Sequence, residues 1–291
     1  MTDTTTPSSK DDPTSDIQFD RRRLTYATTF DNPVLKTIIQ VMEWCSGKLT
    51  ILRWIKTFES KEQPTDHKYW RAALDVMGIP LTTPREQIEQ IPETGPVIVV
   101  ANHPHGMIDG MILSDLIGSR RTDYKVLTRS VLVEVDEVAV KFLIPVPFPH
   151  DPDAQRKSVQ MRADAMAHLK AGGVIGIFPA GVVSTSKTWF GDAVEDEWAP
   201  FTAKMIQRSG ATVVPIHFHG QNTRWYQIAN LLSPVLRQGL LLHEIVAQRN
   251  APQSPTVGKA VSPEECKKWA ADPRGFMAWL RETTLALPPN D

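Results

Sequence analysis

Short apolar runs that alternate with helical patterns constrain the fold of this chain more than any other feature. A run of five apolar residues follows Gly95-Pro96 and is typical of an interior strand. Strands that alternate with amphipathic helices predict a layered α/β domain. The predicted strands lie at residues 97–101, 124–127, 173–178 and 212–218, and predicted helices lie at residues 158–170, 198–208, 225–246 (interrupted at Pro234) and 273–287.

The N-terminal 62 residues have a different sequence pattern from the rest of the chain. Residues 1–30 are rich in Thr, Ser, Pro and Asp at their start and are predicted to be a disordered tail. Residues 31–62 predict two amphipathic helices, and a further helix at residues 69–77 begins the α/β domain, which we assign to residues 63–291. The second amphipathic segment mixes aliphatic, aromatic and basic residues. Such a helix can pack on its own protein or lie at a lipid surface, and both interpretations stay open.

Composition excludes some classes of function. The chain has 291 residues, a formal net charge of −1 and 41% hydrophobic residues, which is ordinary for a globular protein and argues against nucleic acid as a partner. Cys45 and Cys266 form no disulfide or metal framework, which favours a reducing, cytoplasmic compartment. No segment approaches the roughly 20 apolar residues that cross a bilayer.

Chemistry is expected immediately after the first strand, where residues 102–109 read Asn-His-Pro-His-Gly-Met-Ile-Asp. Ligand sites in open α/β sheets lie beyond the carboxyl ends of the strands. A histidine beside a carboxylate can act as a general base, because the carboxylate orients the imidazole and stabilises its cation. The segment therefore predicts a proton-transfer site.

A metal site is the main alternative from residue chemistry alone. His103 and His105 form one His-x-His pair, His217 and His219 form another, and Asp109 could be a further ligand. This set would suit a metal-dependent hydrolase, although Pro104 disrupts regular strand geometry. A non-catalytic lipid-binding protein is a third possibility.

The same residues resemble a known family. Asn102, His103 and Asp109 are similar to the His-x4-Asp motif of the glycerolipid acyltransferases, which include 1-acylglycerol-3-phosphate acyltransferase. Five residues, not four, separate the histidine from the aspartate here. This longer form resembles the branch of hemolysin-like and lysophospholipid acyltransferases.

Two further blocks extend the resemblance over roughly residues 65–250. Residues 178–184, Phe-Pro-Ala-Gly-Val-Val-Ser, are similar to the family's Phe-Pro-Glu-Gly-x-x-Ser block, but Ala180 replaces the glutamate and Val183 replaces a basic residue. Residues 213–216, Val-Val-Pro-Ile, resemble the final block. The arginine expected in the family's second block is missing, and Arg129 or Arg156 could supply it.

The resemblance implies an α/β fold with a mixed, mainly parallel sheet flanked by helices and an N-terminal helical pair near the membrane. It implies transfer of a fatty acyl group from an acyl carrier protein or coenzyme A thioester to a hydroxyl of a lysophospholipid or related glycerolipid, without a metal or other cofactor. The enzyme would be peripheral at the inner face of the cell membrane. His103 would be the base and Asp109 its orienting partner. Substrate-binding residues would be Asn102, His105, Gly106, Phe178, Pro179, Gly181, Ser184 and Lys187.

Overall fold

A six-stranded sheet forms the centre of the molecule. The computed structural model describes residues 20, 24–27, 31–129, 136–148, 151 and 153–290. The sheet order is β3-β2-β4-β1-β7-β8; β8 alone is antiparallel to its neighbour, which confirms a mixed, mainly parallel sheet. The strands are β1 (Val97–Ala101), β2 (Tyr124–Arg129), β3 (Leu143–Val146), β4 (Val174–Ile177), β7 (Thr212–His217) and β8 (Thr256–Val257), while β5 (Thr185–Ser186) and β6 (Ala193–Val194) form a separate antiparallel pair.

Strand β1 is buried on both faces, as its uninterrupted apolar sequence predicts. It lies between β4 and β7, and its alternate residues point to two different hydrophobic cores. Val97, Val99 and Ala101 pack into one core, whereas Ile98 and Val100 pack into the other. The carboxyl ends of β1, β4 and β7 are level, since Val100 pairs with Ile177 and Ala101 pairs with Ile216.

Helices cover both faces of the sheet. An ion pair between the partly exposed Arg71 and the buried Asp115 joins α3 to α5. The helices are α1 (Pro33–Glu43), α2 (Leu49–Glu59), α3 (Tyr69–Met77), α4 (Arg85–Ile88), α5 (Met107–Gly118), α6 (Ala154–Lys170), α7 (Pro200–Ser209), α8 (Arg224–Leu232), α9 (Pro234–Gly239), α10 (Leu241–Ala247), α11 (Pro263–Lys267) and α12 (Pro273–Leu285).

Most predicted elements are confirmed, with differences at their ends. Helix α6 begins at Ala154, four residues before the predicted start. Residues 225–246 divide into three helices: Ser233 adopts an extended conformation before Pro234, as proline requires of its predecessor, and a second break falls at Leu240. Helix α5 was not predicted from the sequence. Ten of its twelve residues are buried, so it has no polar face and shows no amphipathic pattern.

The two N-terminal helices are confirmed, but no loop separates them. A π-helical turn at Trp44–Lys48 joins α1 to α2, and the backbone stays in the right-handed helical region throughout. Helix α1 packs against α9, the π-helical turn packs against α10, and α2 packs against α3. Within the described ranges, none of the helices combines the length and the apolar composition that crossing a membrane requires.

Part of the predicted tail is packed on these helices. Leu24 and Ala27 are buried. The Glu43 carboxylate accepts hydrogen bonds from the Tyr26 backbone N–H (2.8 Å) and from the Thr25 hydroxyl (2.7 Å). Residues 24–27, which the prediction assigned to the tail, are thus packed on the helices, and the buried Glu43 carboxylate accepts the Thr25 and Tyr26 donors. Of the predicted tail, only residues 20 and 24–27 are among the described residues.

Gly47 lies at a close contact between the N-terminal helices and α10. A Cβ atom at this position would lie 2.8 Å from the carbonyl oxygen of Leu242 and 3.0 Å from its carbonyl carbon. These are backbone atoms, which cannot yield as a side chain can. We expect Gly47→Ala to lower the free energy of unfolding by about 1–3 kcal/mol in urea titrations.

Gly110→Ala in α5 is the matched control, because a Cβ there would meet no described atom within 4 Å. Alanine is favoured over glycine in a helix by about 0.5–1 kcal/mol, so this variant should be as stable as the parent or slightly more so. Equal destabilisation of both variants would contradict the packing argument.

Candidate active site

The loop after β1 carries the two histidines and turns into α5. His103 lies two residues beyond the strand, and Gly106 is the last residue before the helix. Gly106 has a φ of +75°, a conformation that side-chain-bearing residues rarely adopt. This turn directs the Gly106 N–H to the side chain of Asp109, three residues into the helix (3.1 Å). The glycine therefore joins the strand, the loop and the aspartate.

Asp109 is fully buried and accepts four hydrogen bonds. Its Oδ2 atom accepts from His103 Nδ1 (3.0 Å), from the His105 N–H (2.7 Å) and from Gly106, while Oδ1 accepts from His105 Nδ1 (3.1 Å). Burial would raise the pKa of this carboxyl, but its interactions with His105 and His103 outweigh burial and lower the pKa. The geometry favours an ionised aspartate that holds two imidazoles.

The two imidazoles have different surroundings. The His103 side chain is 17% exposed, stacks on the Phe178 ring at 4.0 Å and lines the large cavity described below. His105 is 4% exposed, lies outside that cavity, and its Nε2 atom faces Gly220. With Nδ1–H donated to Asp109, the Nε2 atom of His103 carries the lone pair that a base needs. Of the two, only His103 combines this partner with access to the cavity.

The cavity has a volume of about 580 Å³ and is mostly apolar. It extends from the loop after β1 to the N-terminal helices, and Gly106, Phe178, Pro179 and Gly181 line it as the sequence predicts. Its aliphatic and aromatic lining includes Ile51, Trp54, Ile55, Phe58, Tyr69, Trp70, Ala73, Val76, Met77, Met107, Met111, Leu143, Val146, Leu241 and Ile245. A space of this size and polarity suits an alkyl chain.

Two predicted substrate-binding residues, Asn102 and Ser184, lie outside the cavity lining and link neighbouring strand ends. The Asn102 side chain donates to the Phe218 carbonyl (2.8 Å) and accepts from the Phe218 N–H (2.7 Å), which ties the end of β1 to the end of β7. The Ser184 N–H donates to the His103 carbonyl (2.8 Å), which ties the block after β4 to the same loop.

Glu195 is a member of the site that the sequence analysis missed. Its Oε2 atom accepts from the His103 N–H (3.2 Å) and the Ser184 hydroxyl, and its Oε1 atom accepts from the Trp198 indole N–H (3.0 Å). It is 5% exposed. The sequence signal for such a residue was Ala180. It replaces the usual glutamate of its block, so another part of the chain can supply the carboxylate.

Three cations were candidates for the missing basic groups, and the structure separates them. Arg129 lines the cavity, donates from Nη2 to the Gly181 carbonyl (2.9 Å) and has its guanidinium 5.0 Å from the centre of the Phe148 ring. Arg156 is exposed on α6 and pairs with Asp153 (3.1 Å). Lys187 is exposed and outside the cavity, because the chain after Ser184 enters the β5–β6 hairpin. The structure therefore groups Arg129, not Lys187, with the predicted site.

The second His-x-His pair makes other contacts. His217 Nδ1 hydrogen-bonds with the Leu287 carbonyl (2.9 Å), and His219 Nε2 hydrogen-bonds with the Thr256 hydroxyl (2.9 Å). Burial lowers the pKa of both imidazoles. In the part of the chain that the structure describes, no three His, Cys, Asp or Glu side chains are arranged to hold a metal ion. The metal-site hypothesis thus finds no ligand set among the described residues.

A family model described as Acyltransferase matches residues 51–240, well over half of the chain. The chain belongs to the acyltransferase family. The matched range includes β1, the His103 loop, Arg129 and the block at residues 178–184. This confirms the enzyme class that the three sequence blocks predicted.

The chain is similar to a lipid acyltransferase sequence and to a solved structure. A lyso-glycine lipid O-acyltransferase of Phocaeicola vulgatus is 27% identical over 187 residues, which cover 60% of this chain and 62% of the relative. The chain thus matches about three fifths of that relative's length. The crystal structure of the 1-acyl-sn-glycerophosphate acyltransferase PlsC of Thermotoga maritima covers 75% of each chain, with 14% identity and a TM-score of 0.49.

The hydrogen bonds of Glu195 should contribute to the stability of the fold. Glu195→Ala would leave the Trp198 indole, the Ser184 hydroxyl and the His103 N–H without their acceptor. Each unsatisfied buried group costs about 1–3 kcal/mol, so the midpoint of thermal unfolding should fall by several degrees. Differential scanning calorimetry measures it.

Glu195→Gln is the closer variant, because its amide oxygen can still accept from the donors on one side, although its NH2 group then faces the donor on the other. We expect it to regain part of the lost stability. Equal melting temperatures for the parent and the alanine variant would show that these hydrogen bonds contribute nothing to the fold.

Proposed function

We propose that this acyltransferase moves a fatty acyl group from a thioester to a hydroxyl of a lysolipid, with His103 as general base. The observation that carries the proposal is the His103–Asp109 pair at an apolar cavity of about 580 Å³. A general base and an alkyl-chain site in contact are what acyl transfer between lipid substrates needs.

The proposed chemistry is a single displacement. The acceptor hydroxyl gives its proton to His103 Nε2 as its oxygen attacks the thioester carbonyl. The carbon–sulfur bond then breaks, and the imidazolium returns the proton to the leaving thiolate, so that the products are an ester and a free thiol. Asp109 stays ionised throughout and stabilises the transient imidazolium. His105 is a positioning residue, because it touches Asp109 and lies outside the cavity.

The acyl chain is proposed to occupy the part of the cavity between α2, α3 and α5. Trp54 and Ile55 of α2 and Ala73 and Met77 of α3 line this space. Burying an alkyl chain there contributes about 0.8 kcal/mol for each methylene group. This binding energy holds the thioester carbonyl beside His103, and the donor is an acyl carrier protein or coenzyme A thioester.

Arg129 is proposed to bind an anionic group of the acceptor. It lies on the wall of the cavity beside Gly181, and the block at residues 178–184 has no basic residue of its own. The name of the P. vulgatus relative describes a lyso-lipid as its acceptor, and the acceptor proposed here belongs to the same class. The acceptor of this chain is therefore proposed to be a lysolipid with a phosphate or carboxylate in its head group.

Membrane contact is proposed for the N-terminal helices. Val34, Val41, Trp44 and Leu49 are each more than half exposed, although all are apolar. Such residues are suited to the boundary between head groups and acyl chains. This supports contact with a membrane surface, and we propose a peripheral enzyme at the inner face of the cell membrane.

The decisive experiment incubates the purified protein with labelled acyl thioesters and a panel of lysolipids and identifies the products by mass spectrometry. His103→Ala should reduce turnover by about two to four orders of magnitude, the scale for loss of a general base. His105→Ala should reduce kcat less, since it removes one of the four hydrogen bonds that hold Asp109.

Circular dichroism should show that both variants are folded. Turnover of the His103→Ala variant within tenfold of the parent would refute the mechanism. Failure of the parent to consume any acyl thioester would refute the proposed function itself.

Arg129 provides a separate test. Arg129→Met should raise the KM for an anionic lysolipid by about tenfold or more, because a hydrogen-bonded charge contributes about 1.5–3 kcal/mol to binding. The KM for an uncharged monoacylglycerol should change little. Arg156→Met is the matched control, since Arg156 is exposed on α6. A uniform increase in KM for charged and uncharged acceptors would contradict the head-group assignment.

A further inference from the structure

Three large aromatic side chains are exposed on one part of the surface. Trp189 and Phe190, in the loop between β5 and β6, are 52% and 88% exposed, and Trp225 at the start of α8 is 71% exposed. Loop and helix are joined because Arg224 Nη1 donates to the Gly191 carbonyl (2.6 Å). We call Trp189, Phe190 and Trp225 the aromatic patch.

The scaffold under the aromatic patch is ordered by hydrogen bonds. Gln227 of α8 accepts from the Ser186 N–H (2.7 Å), and Gln221 accepts from the Ala193 N–H (2.6 Å), so each strand of the hairpin is bonded to the chain around α8. The Thr188 hydroxyl accepts from the Gly191 N–H (2.9 Å) within the loop. Specific hydrogen bonds thus hold the hairpin and α8 together, while the aromatic rings that they carry stay exposed.

The surroundings indicate what the aromatic patch contacts. Lys187 and Arg224 are exposed beside it, so cations flank the rings; the nearby carboxylate of Asp192 accepts from the Gln221 amide (3.3 Å). Aromatic side chains bordered by Lys and Arg suit the interface of an anionic bilayer, where rings sit at the level of the head groups and cations meet lipid phosphates.

The aromatic patch also adjoins the cavity. Tyr226, the residue after Trp225, lines the cavity, and so does Val182, which precedes the hairpin and is 37% exposed. A bilayer held at this surface would lie beside the cavity that the lipid substrates enter.

We propose that the aromatic patch is a membrane-docking element that inserts into the head-group region of an anionic bilayer, in addition to the N-terminal helices. The purpose of docking, which is access of a lipid acceptor to His103, rests on the proposed function. The binding of the aromatic patch to a bilayer is independent of that function.

The test measures sedimentation with vesicles made of equal parts phosphatidylcholine and phosphatidylglycerol. Trp189→Ser combined with Phe190→Ser should weaken the binding of the full chain to these vesicles by about tenfold or more, since two large apolar side chains no longer enter the interface. Val159→Ser is the matched control: Val159 is 60% exposed on α6, outside the aromatic patch, and its replacement should leave binding unchanged.

Two further variants keep the result interpretable. Phe190→Trp should bind as the parent does, because it preserves an aromatic ring at the tip of the loop. Brominated phosphatidylcholine should quench tryptophan fluorescence in the parent, and Trp189→Phe should reduce that quenching. Unchanged vesicle binding by the double serine variant, or no quenching assignable to Trp189, would overturn the proposal.

Self-association and catalysis are measured separately. A concentration-dependent dimer of the parent that the double variant converts to a monomer, with equal vesicle binding by both, would assign the patch to a second copy of the chain and overturn membrane docking. If no thioester turns over but the double variant still loses vesicle binding, the proposed function fails and the docking proposal stands. If the parent is active, the double variant should keep its activity on detergent-dispersed acceptor and lose it on acceptor in vesicles.

Discussion

The buried carboxylate of Asp109 is the group on which the site depends. It satisfies the backbone N–H groups of His105 and Gly106 and orients the imidazoles of His103 and His105. Because it lies in the first turn of α5, the positive end of the helix dipole favours its ionised form. The extra residue between His103 and Asp109 does not separate them, since the turn at Gly106 takes up the additional length before the helix begins.

The parallel sheet explains why residues distant in sequence meet beside this carboxylate. Loops at the ends of β1, β4 and β7 start at the same level, and polar contacts connect them: Asn102 to Phe218, Ser184 to His103, and Glu195 to both Ser184 and His103. The Phe178 ring stacks on the His103 ring and restricts the orientation of the imidazole. The imidazole is thus held by Asp109 of α5 and by Phe178 after β4, which limits the entropy lost when substrates bind.

The parts of this site that the sequence predicts are those with a local cause. An apolar run sets β1, Gly106 sets the turn, and the spacing to Asp109 follows from both. The remaining parts depend on which strand ends are neighbours. Nothing local distinguishes Arg129 from Arg156 or Lys187, because only the pairing of β2 with β4 brings Arg129 to Gly181. Glu195 has no local motif either, and Ala180 indicated only that a carboxylate was absent from its usual position.

In the proposed head-group assignment, the position of Arg129 determines how an acceptor approaches. A basic residue inside the block at residues 178–184 would place the anion on the same loop that touches His103. Arg129 instead extends from the end of β2, on the far side of β4 from β1, and reaches the Gly181 carbonyl from there. An anion bound by Arg129 lies across the end of β4, so the acceptor must span the distance from there to the imidazole. A head group whose charge is separated from the reacting hydroxyl by several bonds fits this arrangement better than one whose charge is adjacent to it.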